Sequence, residues 1–150
     1  MNVDLHNHVI PQGVVDAIRA DPKSFETKIE DRDGASYFNA HGRMAKLIPE
    51  FHNADAKVAW MDRVGLDMAG ISVAPPIYFY HLNAEVALQS AKLANDGIAQ
   101  MVAKYPARLR GMAHLPMQDP DAAIAELERV VKEHKFRAVE LATSIEGRPL

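Results

Sequence analysis

Val3-Asp4-Leu5-His6-Asn7-His8-Val9-Ile10-Pro11 is the stretch on which the fold of this chain turns. It is a short apolar run carrying two imidazoles two residues apart and closed at once by a proline. In a β-strand, side chains at i and i+2 share a face, so His6 and His8 project into one small volume. Two neutral imidazoles held that way supply two ligands to a divalent metal ion, at Zn–N distances of about 2.0–2.1 Å, with room left for carboxylate, water or substrate. The same alternation places Asp4 on that face one step deeper, where it would orient an imidazole or fill the outer shell of the metal. A His-x-His pair also arises by chance in a chain with seven histidines, and a catalytic zinc usually has three protein ligands rather than two. Position favours the ligand reading, because the C-terminal end of a first strand is where an α/β barrel assembles its chemistry.

The composition sets outer limits on what surrounds that strand. A chain of 150 residues, 48% hydrophobic and 25% charged, with a formal net charge of −3, has the profile of an ordinary globular domain. Lys and Arg are scattered without a basic stripe, so nucleic acid is not an expected partner. No apolar run approaches the roughly 20 residues needed to span a bilayer, so neither is a membrane. There are no cysteines, which excludes disulfides and thiolate ligands and fits a reducing cytoplasm. The N-terminus has no basic segment leading into an apolar one, so no secretion signal is expected.

Outward from the first strand, strand-like and helix-like patterns alternate. A polar, irregular insert is expected from Gln12 to about Asn53, with a short helical piece near Gly13–Ala20 and a turn cluster Glu30-Asp31-Arg32-Asp33-Gly34. Within it, Ala35–Asn39 reads as one strand of a small hairpin over the mouth of the fold. Val58, Met61 and Val64 recur at helical spacing over Ala54–Val64, with Gly65 as C-terminal cap. Trp60 and Met61 read as core. Met68-Ala69-Gly70-Ile71-Ser72-Val73-Ala74, closed by Pro75-Pro76, reads as a strand buried on both faces of a parallel sheet.

A long helix is expected from about Asn83 to Tyr105, stopped by Pro106, and a third strand over Leu109–Leu115. Asp119-Pro120 opens another helix with a capping Asp and a proline at its first position. Its buried stripe is expected to be Ile124, Leu127, Val130 and Val131, with His134-Lys135 suiting its negative end. Ala138–Ala142 is a fourth strand leading into a loop over Thr143–Leu150. Four strands alternating with three helices demand a parallel sheet with right-handed crossovers. No glycine-rich phosphate loop follows the first strand, which removes support for a nucleotide fold. The remaining α/β reading is part of a (β/α)₈ barrel.

Four segments carry a resemblance to a known family. They are Asp4 to Pro11, Met61-Asp62-Arg63-Val64-Gly65-Leu66-Asp67, Asn95-Asp96 before Tyr105-Pro106, and Gly111-Met112-Ala113-His114-Leu115-Pro116-Met117-Gln118-Asp119-Pro120. Together they resemble the amidohydrolase-related decarboxylases, among them the aminocarboxymuconate semialdehyde, resorcylate and carboxyvanillate decarboxylases. The resemblance covers nearly all 150 residues and holds its motifs in order. It implies a metal-dependent TIM-type barrel that cleaves a C–C bond of a small unsaturated or aromatic carboxylic acid without oxidation, releasing CO₂.

Carried over by position, the family's strand-one ligands fall on His6 and His8, and the metal implied is zinc, with manganese as the alternative. The family's other ligands and its catalytic histidine come from strands five, six and eight. A full barrel takes about 250 residues. The expectation is therefore one partial domain over residues 1–150, the N-terminal (βα)₄ half with its insert after strand one. By the same reading, the catalytic acid or base lies beyond residue 150 and the chain alone is inactive. The family holds a substrate carboxylate with an arginine from the insert, which suits a bidentate guanidinium. Arg43 is the candidate for that role here, against the alternative of a solvated surface charge.

Other residues remain open between two roles. His114, at the end of the third strand, either faces the catalytic rim or hydrogen-bonds a neighbouring loop. His41 and His52 in the insert are lid residues or exposed. His81 follows the aromatic run Ile77-Tyr78-Phe79-Tyr80, which lines a pocket for a flat acid or covers the barrel end. Two further readings stand beside the decarboxylase. One is a hydrolase of a small ester, lactone or amide using the same metal; the other is an incomplete half-barrel whose unpaired strand edges drive association, most simply as a dimer.

Overall fold

The first strand pairs in parallel with the second, as the patterning requires. In the computed structural model, which describes residues 1–40, 42–145 and 147–149, β1 (Val3–Val9) is followed by α1 (Gln12–Ala20) and then by an insert. The insert holds β2 (Thr27–Arg32), β3 (Ala35–Ala40), β4 (Arg43–Lys46) and the short α2 (Pro49–His52). The α/β pattern resumes with α3 (Ala54–Val64), β5 (Met68–Val73), α4 (Ala84–Lys104), β6 (Leu109–Gly111) and α5 (Pro120–Arg129). A π-turn over Val130–His134 extends α5, and β7 (Ser144–Ile145) with β8 (Arg148–Pro149) forms a small terminal hairpin.

The central sheet has the order β1-β5-β6, all parallel. The expected fourth strand is present only as a parallel bridge between Ala113 and Val139. Ala113 N donates to the Ala138 carbonyl at 2.8 Å and Glu140 N to the Ala113 carbonyl at 3.0 Å. The architecture is therefore α/β around a parallel sheet, with strand-forming segments side by side in chain order. Val9, Val14, Ile18, Met61, Ile71, Ile98 and Leu109 form its dry centre, all fully buried. β5 is buried at every position after Met68, as a strand covered on both faces must be.

Three further expectations need correction, beside the fourth strand reduced to a bridge and the hairpin in the expected terminal loop. The insert is not irregular: β2, β3 and β4 form an antiparallel sheet, and only Asp33-Gly34 of the expected turn cluster is turn. Both residues have positive φ, at 50° and 73°, the backbone that a tight two-residue hairpin of the right twist demands. The periodicity of Glu30-Asp31-Arg32 is hidden because its charges pair sideways. Arg19 of α1 grips Asp31 with two hydrogen bonds of 2.8 Å, and the Asp31 carboxyl is held far below the ordinary carboxylate range as a result.

The second correction is the phase of α5. Ile124 is 58% exposed and Val131 49%, and Leu127 is exposed as well. Of the expected stripe only Val130 is turned inward, and Ala123 and Glu126 share its face. One helical step separates the two stripes, and a polar network, described below, draws Glu126 inside. The third correction concerns β1. Asp4 pairs with Ala69 and Asn7 with Ile71, so two residues of β1, Leu5 and His6, stand opposite the single residue Gly70. This is a β-bulge, and it breaks the strict alternation on which the placement of Asp4 depended. Gly70 makes room for it: a Cβ built there would lie 2.9 Å from the Leu5 carbonyl oxygen.

Candidate active site

The bulge decides how the two imidazoles meet. His6 and His8 come together edge to face, with ring centroids 4.6 Å apart. The His8 Nδ1 lies 3.1 Å from the Val73 carbonyl. A carbonyl only accepts, so Nδ1 carries the proton and Nε2 keeps its lone pair, the arrangement that metal-ligating histidines use. Asp4 points elsewhere. Its carboxylate accepts from the His6 main-chain N–H at 3.0 Å and from Asn7 Nδ2 at 2.8 Å. The Asn7 bond is the main reason its pKa is lowered. Asp4 thus acts on the backbone of β1 and touches neither imidazole ring.

A third group joins the pair, and sequence reading missed it. His6 Nε2 lies 2.7 Å from Glu140 Oε1, and the Glu140 side chain is 12% exposed. Its other oxygen, Oε2, is buried and makes no hydrogen bond. Ligand atoms of His6, His8 and Glu140 all lie within 4.8 Å of one another. Glu140 stands in the expected fourth strand, Ala138-Val139-Glu140-Leu141-Ala142, where a lone carboxylate in an apolar run was the available signal. Two imidazoles and a carboxylate form an N₂O donor set of charge −1, which suits zinc, manganese or iron and offers nothing to a soft thiophile.

Beside Glu140 rises an aromatic wall. His114, 1% exposed, packs against both Tyr78 and Tyr80, its ring centroid 5.2 and 5.6 Å from theirs, and the two tyrosine rings are themselves 5.4 Å apart. Its Nε2 is 3.1 Å from the Tyr78 carbonyl, so Nε2 holds the proton and the buried, unpartnered Nδ1 is left as an acceptor. Burial, chiefly, and the Glu140 carboxylate raise the pKa of Tyr78, and burial pushes Tyr80 up to about 12. Both phenols stay protonated, and the Tyr80 hydroxyl is buried without a hydrogen-bond partner.

Burial drives the His114 pKa down from 6.5 to about 4, although the Tyr78 carbonyl, Glu140 and Glu126 oppose the shift. Between those two pH values the unfolded chain binds a proton that the folded chain refuses, so stability falls as pH drops through this window. Urea midpoints measured at intervals from pH 7 to pH 4 should decline for the native protein and decline less for His114→Gln. Equal slopes would show that His114 is not the group responsible.

Tyr78, Tyr80 and His81 also line a cavity of about 780 Å³ between the rim loop and the insert sheet, together with Arg43, Met44 and Pro76. Arg43 is exposed on β4 and His81 is exposed on the rim. The structure therefore brings Arg43 and His81 to one cavity, which shares Tyr78 and Tyr80 with the wall beside Glu140. His52, at the end of α2, is half-buried with an unpartnered Nδ1 and its pKa lowered by burial. It belongs to neither the cluster nor this cavity, and His41 lies outside the described residues. Met61 is core as expected, whereas Trp60 is only partly buried.

Comparison with known proteins identifies the family. The sequence profile of the amidohydrolase family matches residues 3–150. A gamma-resorcylate decarboxylase from Polaromonas sp. (strain JS666 / ATCC BAA-500) is 44% identical over 82 residues, which make up 55% of this chain and 25% of that protein. A crystal structure of a dihydroxybenzoic acid decarboxylase from Polaromonas sp. JS666, with bound manganese and the inhibitor 2-nitroresorcinol, superposes with a TM-score of 0.60 at 28% identity. It covers 93% of this chain and 38% of its own. The apo IDCase of Metarhizium anisopliae shares the fold, with a TM-score of 0.80 at 22% identity over 100% of this chain and 44% of its own. The chain thus spans between 25% and 44% of the length of these relatives. Among the described residues no helix is long and apolar enough to cross a membrane. With that profile matching all but the first two residues, the assignment is direct: the chain belongs to the amidohydrolase family.

Proposed function

We propose that residues 1–150 are the (βα)₄ portion of a TIM-type barrel whose whole protein is a metal-dependent, non-oxidative decarboxylase of a small aromatic or unsaturated carboxylic acid. The observation that carries the reading is the meeting of His6, His8 and Glu140, with ligand atoms within 4.8 Å at one end of a parallel sheet. The half-barrel reading is supported by what the parallel sheet leaves uncovered. Leu5 of β1 is 77% exposed, the far side of the 138–140 segment is open, and the outer stripe of α5 is apolar. The unmatched length of the relatives is the natural source of the missing cover.

The residues fit a divalent cation on chemical grounds. Glu140 Oε2 is a buried, unpaired carboxylate oxygen, which is costly unless something positive satisfies it. His8 already presents a lone pair. Two imidazoles and Glu140 would hold the ion, and manganese, carried by the Polaromonas relative, is preferred here over zinc. The bound ion supplies electrostatic stabilisation of the negative charge that develops as the bond to the departing carboxylate breaks.

This chain's own groups do the positioning. The rings of His114, Tyr78 and Tyr80 form an aromatic wall for a flat acid, and Arg43, on the insert side of the cavity, would hold its carboxylate. The proton donor to carbon comes from outside residues 1–150. A hydrolase would use the same cluster, and CO₂ release measured against ester or lactone hydrolysis by the full-length protein separates the two.

The direct test on the chain itself is metal content after gel filtration in manganese-free buffer. About one retained Mn per chain is the expected result, with loss of retention in Glu140→Gln, which keeps the shape and removes the charge. A wild-type chain that holds no metal at saturating MnCl₂ would refute the reading. The same gel filtration tests closure of the sheet by a second copy, which would register as a discrete dimer.

A further inference from the structure

Behind the two imidazoles lies a buried lysine for which the metal chemistry has no use. Lys57, on α3, is 3% exposed. Its ammonium lies 5.9 Å from the Phe51 ring centroid and 5.7 Å from that of Trp60. Its Nζ donates to Asn7 Oδ1 at 2.6 Å and to the His8 carbonyl at 3.0 Å. Asn7 Nδ2 passes the connection on to Asp4 Oδ2 at 2.8 Å, and Asp4 Oδ1 accepts the His6 N–H at 3.0 Å. The path begins on the main chain of one imidazole-bearing residue and ends on that of the other, and it encloses the bulge.

A bulge interrupts the ladder, so main-chain groups there need other partners. An aliphatic side chain at position 57 would fill the space beside Phe51 and Trp60 without the cost of desolvating an ammonium. It could not, however, donate to two acceptors at once. We propose that Lys57 is a positioning residue that, through Asn7 and Asp4, holds the β1 bulge in the backbone geometry that brings the His6 and His8 rings to a common ligand point. The proposal rests on the metal reading of His6, His8 and Glu140 for its consequence, but the brace itself is a property of the metal-free chain.

The test is Lys57→Met, which keeps the stem and removes the donors. Two quantities are measured: Mn²⁺ affinity by titration with MnCl₂, and amide hydrogen exchange in the metal-free chain. The expected result is about 10–100-fold weaker Mn²⁺ binding, the usual cost of losing a group that orients metal ligands. Faster exchange at the His6 amide should accompany it, while amides of the α4 core such as Ala94 and Ile98 keep wild-type protection. Wild-type affinity in the variant overturns the proposal. So does a loss of protection spread evenly through α4 and β5, which would make Lys57 a contributor to stability alone.

Should Lys57→Met fail to fold, Asn7→Ala cuts the same path at its middle and is read by the same two measurements. If the wild-type chain takes up no Mn²⁺, the metal reading fails and the brace is judged by exchange. Selective opening at His6 in the variant then supports it, and unchanged exchange overturns it.

Discussion

Glu126→Leu is expected to cost about 3 kcal/mol of folding stability, seen as a large drop in the urea midpoint at unchanged slope. Glu126 is 1% exposed and sits at the crossing of α4 and α5. Asn95 Nδ2 donates to its Oε1 at 2.7 Å, and Arg129 grips both oxygens at 2.8 Å. Asn95 in turn brackets His114, taking its N–H at 2.9 Å and giving to its carbonyl at 2.9 Å. Leucine would fill the space but take both Glu126 contacts from the guanidinium and strand one amide hydrogen of Asn95, and an unpartnered buried donor forfeits its full desolvation cost.

The effect sits at the low end of what breaking a buried ion pair produces, about 3–5 kcal/mol. Arg129 keeps Asp96 at 2.7 Å, and its side chain is 21% exposed. Removing both charges, as Glu126→Leu with Arg129→Leu, should recover part of the loss. A single-variant cost below about 1 kcal/mol would mean that water replaces the carboxylate and that the network does not hold the helices together.

Gly70→Ala carries the second large effect, and it links the fold to the site. The added methyl would meet the Leu5 carbonyl oxygen at 2.9 Å and its carbon at 3.4 Å. These are main-chain atoms, which cannot swing aside as a side chain does, so the strand must shift or the bulge must move. Overpacking of this kind costs about 1–3 kcal/mol. Because the displaced residues are Leu5 and His6, the same substitution should weaken Mn²⁺ binding by more than its stability cost would suggest. Thermal melts and Mn²⁺ titrations of the same preparation check both halves. A variant that loses stability but binds Mn²⁺ like the wild type would show that the bulge tolerates displacement without re-aiming His6.

How much of this was legible in the sequence follows from how local each signal is. The bounds of α3 came out as read, because its apolar spacing and its Gly65 cap lie within the helix itself. α4 followed from a long apolar periodicity between an asparagine cap and a proline stop. His6 and His8 were legible because they are two residues apart at a strand end. The bulge was not, since it depends on a glycine in another strand some 65 residues away.

Counting by twos therefore put Asp4 on the wrong side. The phase of α5 was misread because hydrophobicity favours Ile124 and Leu127, while Asn95, on a different helix, gives Glu126 a reason to be inside. Glu140 carried one local mark, its place as a lone carboxylate in an apolar run, and that alone does not separate it from a surface acid. Its role appears only when strand one and the fourth segment stand in the same sheet. The insert looked irregular because its strands are short and its charges pair across to α1.

The brace around the bulge also fixes an order of events during synthesis. Every residue that aims the imidazoles, from Asp4 through Lys57 to Val73, lies in the first half of the chain, and Glu140 is roughly 65 positions further on. At about 5–20 residues per second, the segment carrying both imidazoles leaves the ribosome several seconds before the carboxylate that completes the cluster. For much of that interval α4 and β6, whose Ile98 and Leu109 share one core with Val9 and Ile71, are still being made, so the pair is synthesised early and set in place only when the sheet closes.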